Sequence, residues 1–177
     1  MALHYRSLDP RTREFMSEEL KLDVAGNTLY ISERLNTEGE KIWSALLSYA
    51  ITVHDDAWLA REIKHRGLLK SHEECQTPTG GKTTAKMPMN APYTLAEAEF
   101  NRFYIRGLCA RVKKDGIAYV EVYRARPSES PRPESELIIG KRLDPSALLH
   151  DLRAAVDVDT ALGIPPGPNS GLSVFIP

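Results

Sequence analysis

The chain has 177 residues with 42% hydrophobic character, enough to bury one substantial core, and this excludes a disordered or fibrous protein. A net charge of −1 argues against a generic polyanion binder, whose excess of basic residues shows in the totals. The charge is nevertheless uneven: Lys and Arg number 6 against 10 acids in residues 1–59, 16 against 10 in 60–142 and 1 against 4 in 143–177. Such asymmetry means either an anion-facing surface or three segments whose opposite charges meet in the fold.

In chain order, "LDPRTREFMSEELKLDV" predicts a helix with Asp9 as cap, Pro10 in the first turn, and Phe15, Leu20 and Leu22 facing a core. "NTLYIS" reads as a short strand. Ile42, Leu46, Leu47 and Ala50 recur at helical spacing, and a further helix starts at Asp55. Residues 72–92 read as an exposed hairpin or flexible loop, because three prolines bar a helix and "PTGG" supplies a turn. Thr94 and Glu97 form a capping-box pattern, so a long helix is expected over 95–114.

"IAYVEVYRAR" is the strongest strand, rich in β-branched and aromatic residues. A Pro/Ser-rich loop follows over 127–135, then "SELIIGKRL" as a second strand. A helix over about 145–156 is capped by Asp144, and "LSVFI" is a terminal strand. The expected fold is a single α+β domain over 1–177: a helical first third, then a small mixed or antiparallel sheet carrying the long and the shorter helix.

The 95–114 helix has a main apolar face of Ile105, Leu108, Cys109 and Val112 and a second strip of Phe100, Phe103 and Gly107. Arg102, Arg106 and Lys113 are left a narrow polar sector. Two arginines a turn apart grip a phosphate or carboxylate, or else pair locally, as Glu99 allows for Arg102. Asn101 lies on the apolar face, where its amide needs partners: it is a bracket for a strand end or a pocket group. On the following strand, Ala118, Val120 and Val122 share a face that continues into Arg124 and Arg126.

These residues with Tyr123, Arg132, Lys141 and Arg142 make up the candidate surface for an anion or nucleic acid: Arg102, Arg106, Tyr123, Arg124, Arg126, Arg132, Lys141 and Arg142. Asn101, Glu121 and Glu136 are the pocket candidates.

Named chemistries fit poorly. "TGGKTT" needs a glycine where Gln76 stands to be a phosphate-binding loop. His54, Asp55 and Asp56, and His72 to Cys75, gather ligand types without zinc spacing, so no metal is expected. Cys109 falls on an apolar face as a small core residue, and Cys75 has nothing to activate it.

The expectation is a small, bacterial-type cytoplasmic binding protein with reduced thiols, no leader segment and no cofactor. It would engage an anionic partner, DNA or RNA among the candidates, through its basic middle. The first alternative is a protein-interaction, assembly or regulatory subunit or homo-oligomer, in which Trp43, Tyr49 and Trp58 serve as exposed anchors. The second is a small nuclease- or transferase-like enzyme with a pocket near Asn101, Arg124 and Glu121.

Overall fold

The computed structural model describes residues 2–76, 80–165 and 170–177. Helix α1 (Pro10–Ala25) starts as expected, Asp9 accepting from the Thr12 amide with proline in the first turn. In α2 (Thr37–Val53) the Asn36 side chain takes the same role for Gly39, and in α3 (Asp56–His65) Asp55 accepts from Trp58 N at 2.8 Å. An antiparallel hairpin of β1 (His72–Gln76) and β2 (Lys82–Lys86) stands between α3 and α4 (Ala91–Lys114). Then come β3 (Val120–Arg124), the one-turn α5 (Pro133–Glu136) and the two-residue β4 (Arg142–Leu143). The chain ends with α6 (Pro145–Ala154), α7 (Val158–Ala161) and β5 (Leu172–Phe175). β3 is the middle strand of an antiparallel sheet ordered β4, β3, β5. The fold is α+β, as expected.

α4 is the axis of the molecule. α1, α3 and α6 pack around it and β5 touches it, so Glu99 to Cys109 are buried on every side. The polar sector expected for Arg102 and Arg106 does not exist at the surface: both are buried, Arg106 beneath Glu19 and Asp23 of α1 and Arg102 beside Glu99 and Tyr30. Gly107 permits the approach of α1: a Cβ there would lie 2.6 Å from the Met16 backbone nitrogen.

Several expectations need correcting. α4 begins a turn before the predicted box: Pro92 occupies its first turn, and the Thr94 hydroxyl donates to Ala91 O from inside the helix. Residues 28–32 are extended without a ladder partner, so "NTLYIS" is not a strand. Ser135 closes a helical turn and only Arg142–Leu143 pairs in the sheet, because Gly140, at φ 81°, bends the chain before it reaches β3. Leu22 is exposed instead of facing the core. On the second face of β3, Tyr119 and Glu121 are half-buried, and Tyr123 is covered, packing with Leu3 and Ala125 while its hydroxyl donates to His4 O. Within the 72–92 segment a hairpin forms; Thr77 to Thr79, and with them part of the "PTGG" turn, lie outside the described residues. Among the described residues no helix is long and apolar enough to cross a membrane.

Candidate functional site

The arginines picked out from the sequence are held by carboxylates. Arg106 is buried and forked between α1 side chains, donating to Glu19 Oε2 from Nε (3.1 Å) and Nη2 (3.0 Å) and to Asp23 from Nη1 (2.6 Å) and Nη2 (2.8 Å). Arg153 closes the network from α6, reaching Glu19 Oε1 at 2.6 Å. Arg102 is equally buried and donates to Glu99 Oε2 at 2.8 Å, while its Nε has no partner among the described residues. Neither side chain presents a face to a phosphate.

Further out, Arg124 pairs with Glu136 and donates to Ser170 O, Arg126 pairs with Glu97 at 3.0 Å, and Arg132 pairs with Asp159 at 2.5 Å. Arg142 lies over the Tyr119 ring, 4.0 Å from Glu121. Only the Lys141 ammonium is exposed with no partner among the described residues. The eight candidates therefore do not gather on one open surface.

The pocket candidates separate too. The Asn101 amide donates to Leu172 O (2.9 Å) and its oxygen accepts from the Ser173 hydroxyl (2.7 Å), so it brackets β5 as one of the two readings required. It also borders a cavity of about 30 Å³ with Glu97, Asp159 and Ser170, room for about one water. Arg124 and Glu136 reach the same loop from outside, and Glu121 faces Arg142 instead. Of the three aromatic anchors, Trp43 is core, its indole donating to Tyr30 O, whereas Tyr49 is exposed and edges against the stacked pair His54 and Trp58.

What sequence reasoning missed is the acid side of the account. Four buried carboxylates around α4 are pushed toward protonation, in each case first by burial. Glu99 rises to about 7, with Asp23 adding to the effect and Arg102 and Arg106 opposing it. Asp56 rises to about 6, with Asp55 and Glu97 contributing. Glu97 rises despite Arg126, and Asp159 despite Ser170 and Arg132. The single sequence signal was the unusual density of acids beside apolar positions in "LAEAEF".

Glu99 borders an open groove of about 460 Å³. One wall is the extended segment carrying Tyr30, Ser32 and Arg34; the other is the start of α4 with Asn90 and Thr94; Val156 and Asp157 close one end. Arg34 is already bonded to Glu73 of β1 at 2.7 Å. The groove is lined by two carboxylates, Glu99 and Asp157, and one guanidinium, Arg34; Glu99 is answered from behind by Arg102 and Arg106, and Arg34 by Glu73. Clefts that combine convergent polar groups with a displaced titration are where ligands bind.

Compared with known proteins, the chain matches no family model, no curated protein and no solved structure.

Proposed function

We propose that the chain is a protein-interaction module, whose groove between residues 30–34 and the start of α4 receives a basic peptide segment of a partner. The observation that carries this is Glu99: a carboxylate at the groove wall, desolvated by its surroundings, with its Oε2 held by Arg102 as the one hydrogen bond to a charged group. An incoming guanidinium or ammonium would meet the two lining carboxylates, Glu99 and Asp157, and the Tyr30 ring offers it a face. This reading keeps the expectation of a binding protein but reverses the sign of its partner. The anionic reading draws little support, because the guanidinium groups it relies on are already engaged.

The test is fluorescence anisotropy with labelled eight-residue peptides, one alternating Arg with Ser and one alternating Glu with Ser, at 50 mM salt and pH 8. The basic peptide is expected to bind, with affinity falling at least tenfold in Glu99→Gln and again in wild type at pH 6, where Glu99 is protonated. Equal binding of the acidic peptide, or no binding of the basic one, sinks the proposal. Labelled duplex and single-stranded DNA form the other arm. Tight, steeply salt-dependent binding there, lost when Lys141 and Arg142 become alanine, returns the case to an anionic partner.

A further inference from the structure

Among the described residues, four arginines lie over aromatic rings, and three of them also meet a carboxylate. Arg102 lies over Tyr30 and Phe103 and pairs with Glu99. Arg106 lies over Phe103 and pairs with Glu19 and Asp23, and Arg142 lies over Tyr119, 4.0 Å from Glu121. Arg6 is the fourth. Its guanidinium carbon sits 4.5 Å from the centroid of the Tyr123 ring and 4.6 Å from that of Phe175, two rings set at 83° to each other. The residue is exposed, and among the described residues neither a carboxylate nor any other hydrogen-bond acceptor meets its side chain.

The rings hold this side chain without using what it can donate. An aromatic face attracts the charge but offers no oxygen, so the five N–H donors of the guanidinium are left for water or for an anion. The platform itself is fixed: Tyr123 is 4% exposed, its hydroxyl accepts from Arg6 N at 3.2 Å and donates to His4 O, and Phe175 belongs to β5. An arginine placed in this way has given up rotamer freedom in advance, so capturing an anion costs it less than it costs a loose surface arginine. Glu121 stands opposite Phe175 in the register, but it lies against Arg142 of β4 instead.

We infer that Arg6 is an anchor for the side-chain carboxylate of an acidic segment of a protein partner. The other three ring-held arginines show the arrangement complete, with a glutamate or aspartate as its third member, and Arg6 has the ring and the guanidinium only. A nucleic acid suits this face less well, since a run of phosphates laid along it would meet Glu121. The inference is independent of the groove reading, because neither Arg6 nor its two rings border the groove.

The experiment is an NMR titration of the isotope-labelled full chain at pH 6.5 and constant ionic strength, following arginine Nε–H and backbone amide signals. N-acetyl-glutamate methylamide is the probe, and its glutamine counterpart is the uncharged control. The glutamate is expected to shift the Arg6 Nε–H and the Phe175 amide together and to saturate with a Kd below about 50 mM. Binding this weak leaves the acidic peptide of the groove test far behind the basic one. Arg61 is the internal comparison, an exposed guanidinium that lies over no ring and has no partner among the described residues. Its Nε–H should respond about fivefold more weakly, as an ordinary surface charge does. Arg6→Lys keeps the charge but loses the planar fork, and should weaken binding read at the Phe175 amide about fivefold. Phe175→Leu keeps the arginine but removes one ring, and should weaken binding read at the Arg6 Nε–H about threefold. Dimethyl phosphate, which carries the charge of one nucleic-acid linkage, should bind no tighter than the glutamate. Equal response at Arg61, saturation by the glutamine compound, unchanged affinity in either variant, or tighter binding of dimethyl phosphate overturns the assignment.

Discussion

Glu99 ties the chemistry of one residue to the behaviour of the protein. Its folded-state titration lies near pH 7 against about 4.5 for an exposed glutamate, because burial outweighs the help it receives from Arg102 and Arg106, and Asp23 adds to the burial. A carboxylate raised in this way stabilises the fold below the unfolded value, and that contribution is lost as pH rises through about 7. Asp56, raised to about 6, acts in the same sense over a lower range. Stability should therefore increase as pH falls from 8 to 5.5, with Glu99 contributing on the order of 3 kcal/mol at most. Thermal melts at constant ionic strength check this. Glu99→Gln should flatten the pH 6 to 8 limb, and a wild-type Tm that climbs with pH over that interval contradicts the account.

At the scale of elements, α4 decides the architecture, and Gly107 decides how closely α1 meets it. A methyl group at 107 would overlap the backbone of Met16, not merely its flexible side chain, so trimming Met16 cannot make room. Gly107→Ala should cost about 1 to 3 kcal/mol or more, although alanine is the better helix former. Urea denaturation measures it, and Gly107→Ala with Met16→Ala should recover little of the loss.

The same helix shows how much was legible beforehand. Its existence, its apolar faces and the caps at Asp9, Asp55 and Asp144 follow from local rules, and the structure agrees with them. Its start was misplaced because Thr94 and Glu97 bond elsewhere, Thr94 to Ala91 O and Glu97 to Arg126. "NTLYIS" has strand composition but meets no partner edge, and pairing is non-local information. The exposure assigned to Arg106 failed for a related reason: its charge looks solvated until the acids that meet it, Glu19 and Asp23, are brought from more than eighty residues away, whereas Arg102 takes the local partner Glu99 that the sequence offered.

For the whole molecule, the uneven charge resolves into contacts between segments. Arg106 of the basic middle meets Glu19 and Asp23 of the acidic first third, Arg111 meets Asp9, and Arg132 meets Asp159 of the acidic end. Of the two meanings the charge pattern allowed, opposite charges meeting in the fold is the one these pairs display. They differ sharply in setting. Arg106, Glu19 and Asp23 are nearly excluded from water, whereas Arg11, paired with Asp115, is about half exposed. Salt screens charges in water far more than charges removed from it. A double-mutant cycle on Arg106→Met and Glu19→Gln should accordingly return nearly the same coupling at 0.05 and 1 M NaCl. One on Arg11→Met and Asp115→Asn should fall from at most about 1 kcal/mol toward zero. Arg106→Ala alone should cost about 3 to 5 kcal/mol, since it leaves buried Asp23 without its guanidinium and Glu19 with only Arg153, while Arg142→Ala at its exposed site stays within about 1 kcal/mol. If the Arg106 coupling also vanishes in high salt, water reaches the network, and α1 does not seal α4 as the packing around Gly107 requires.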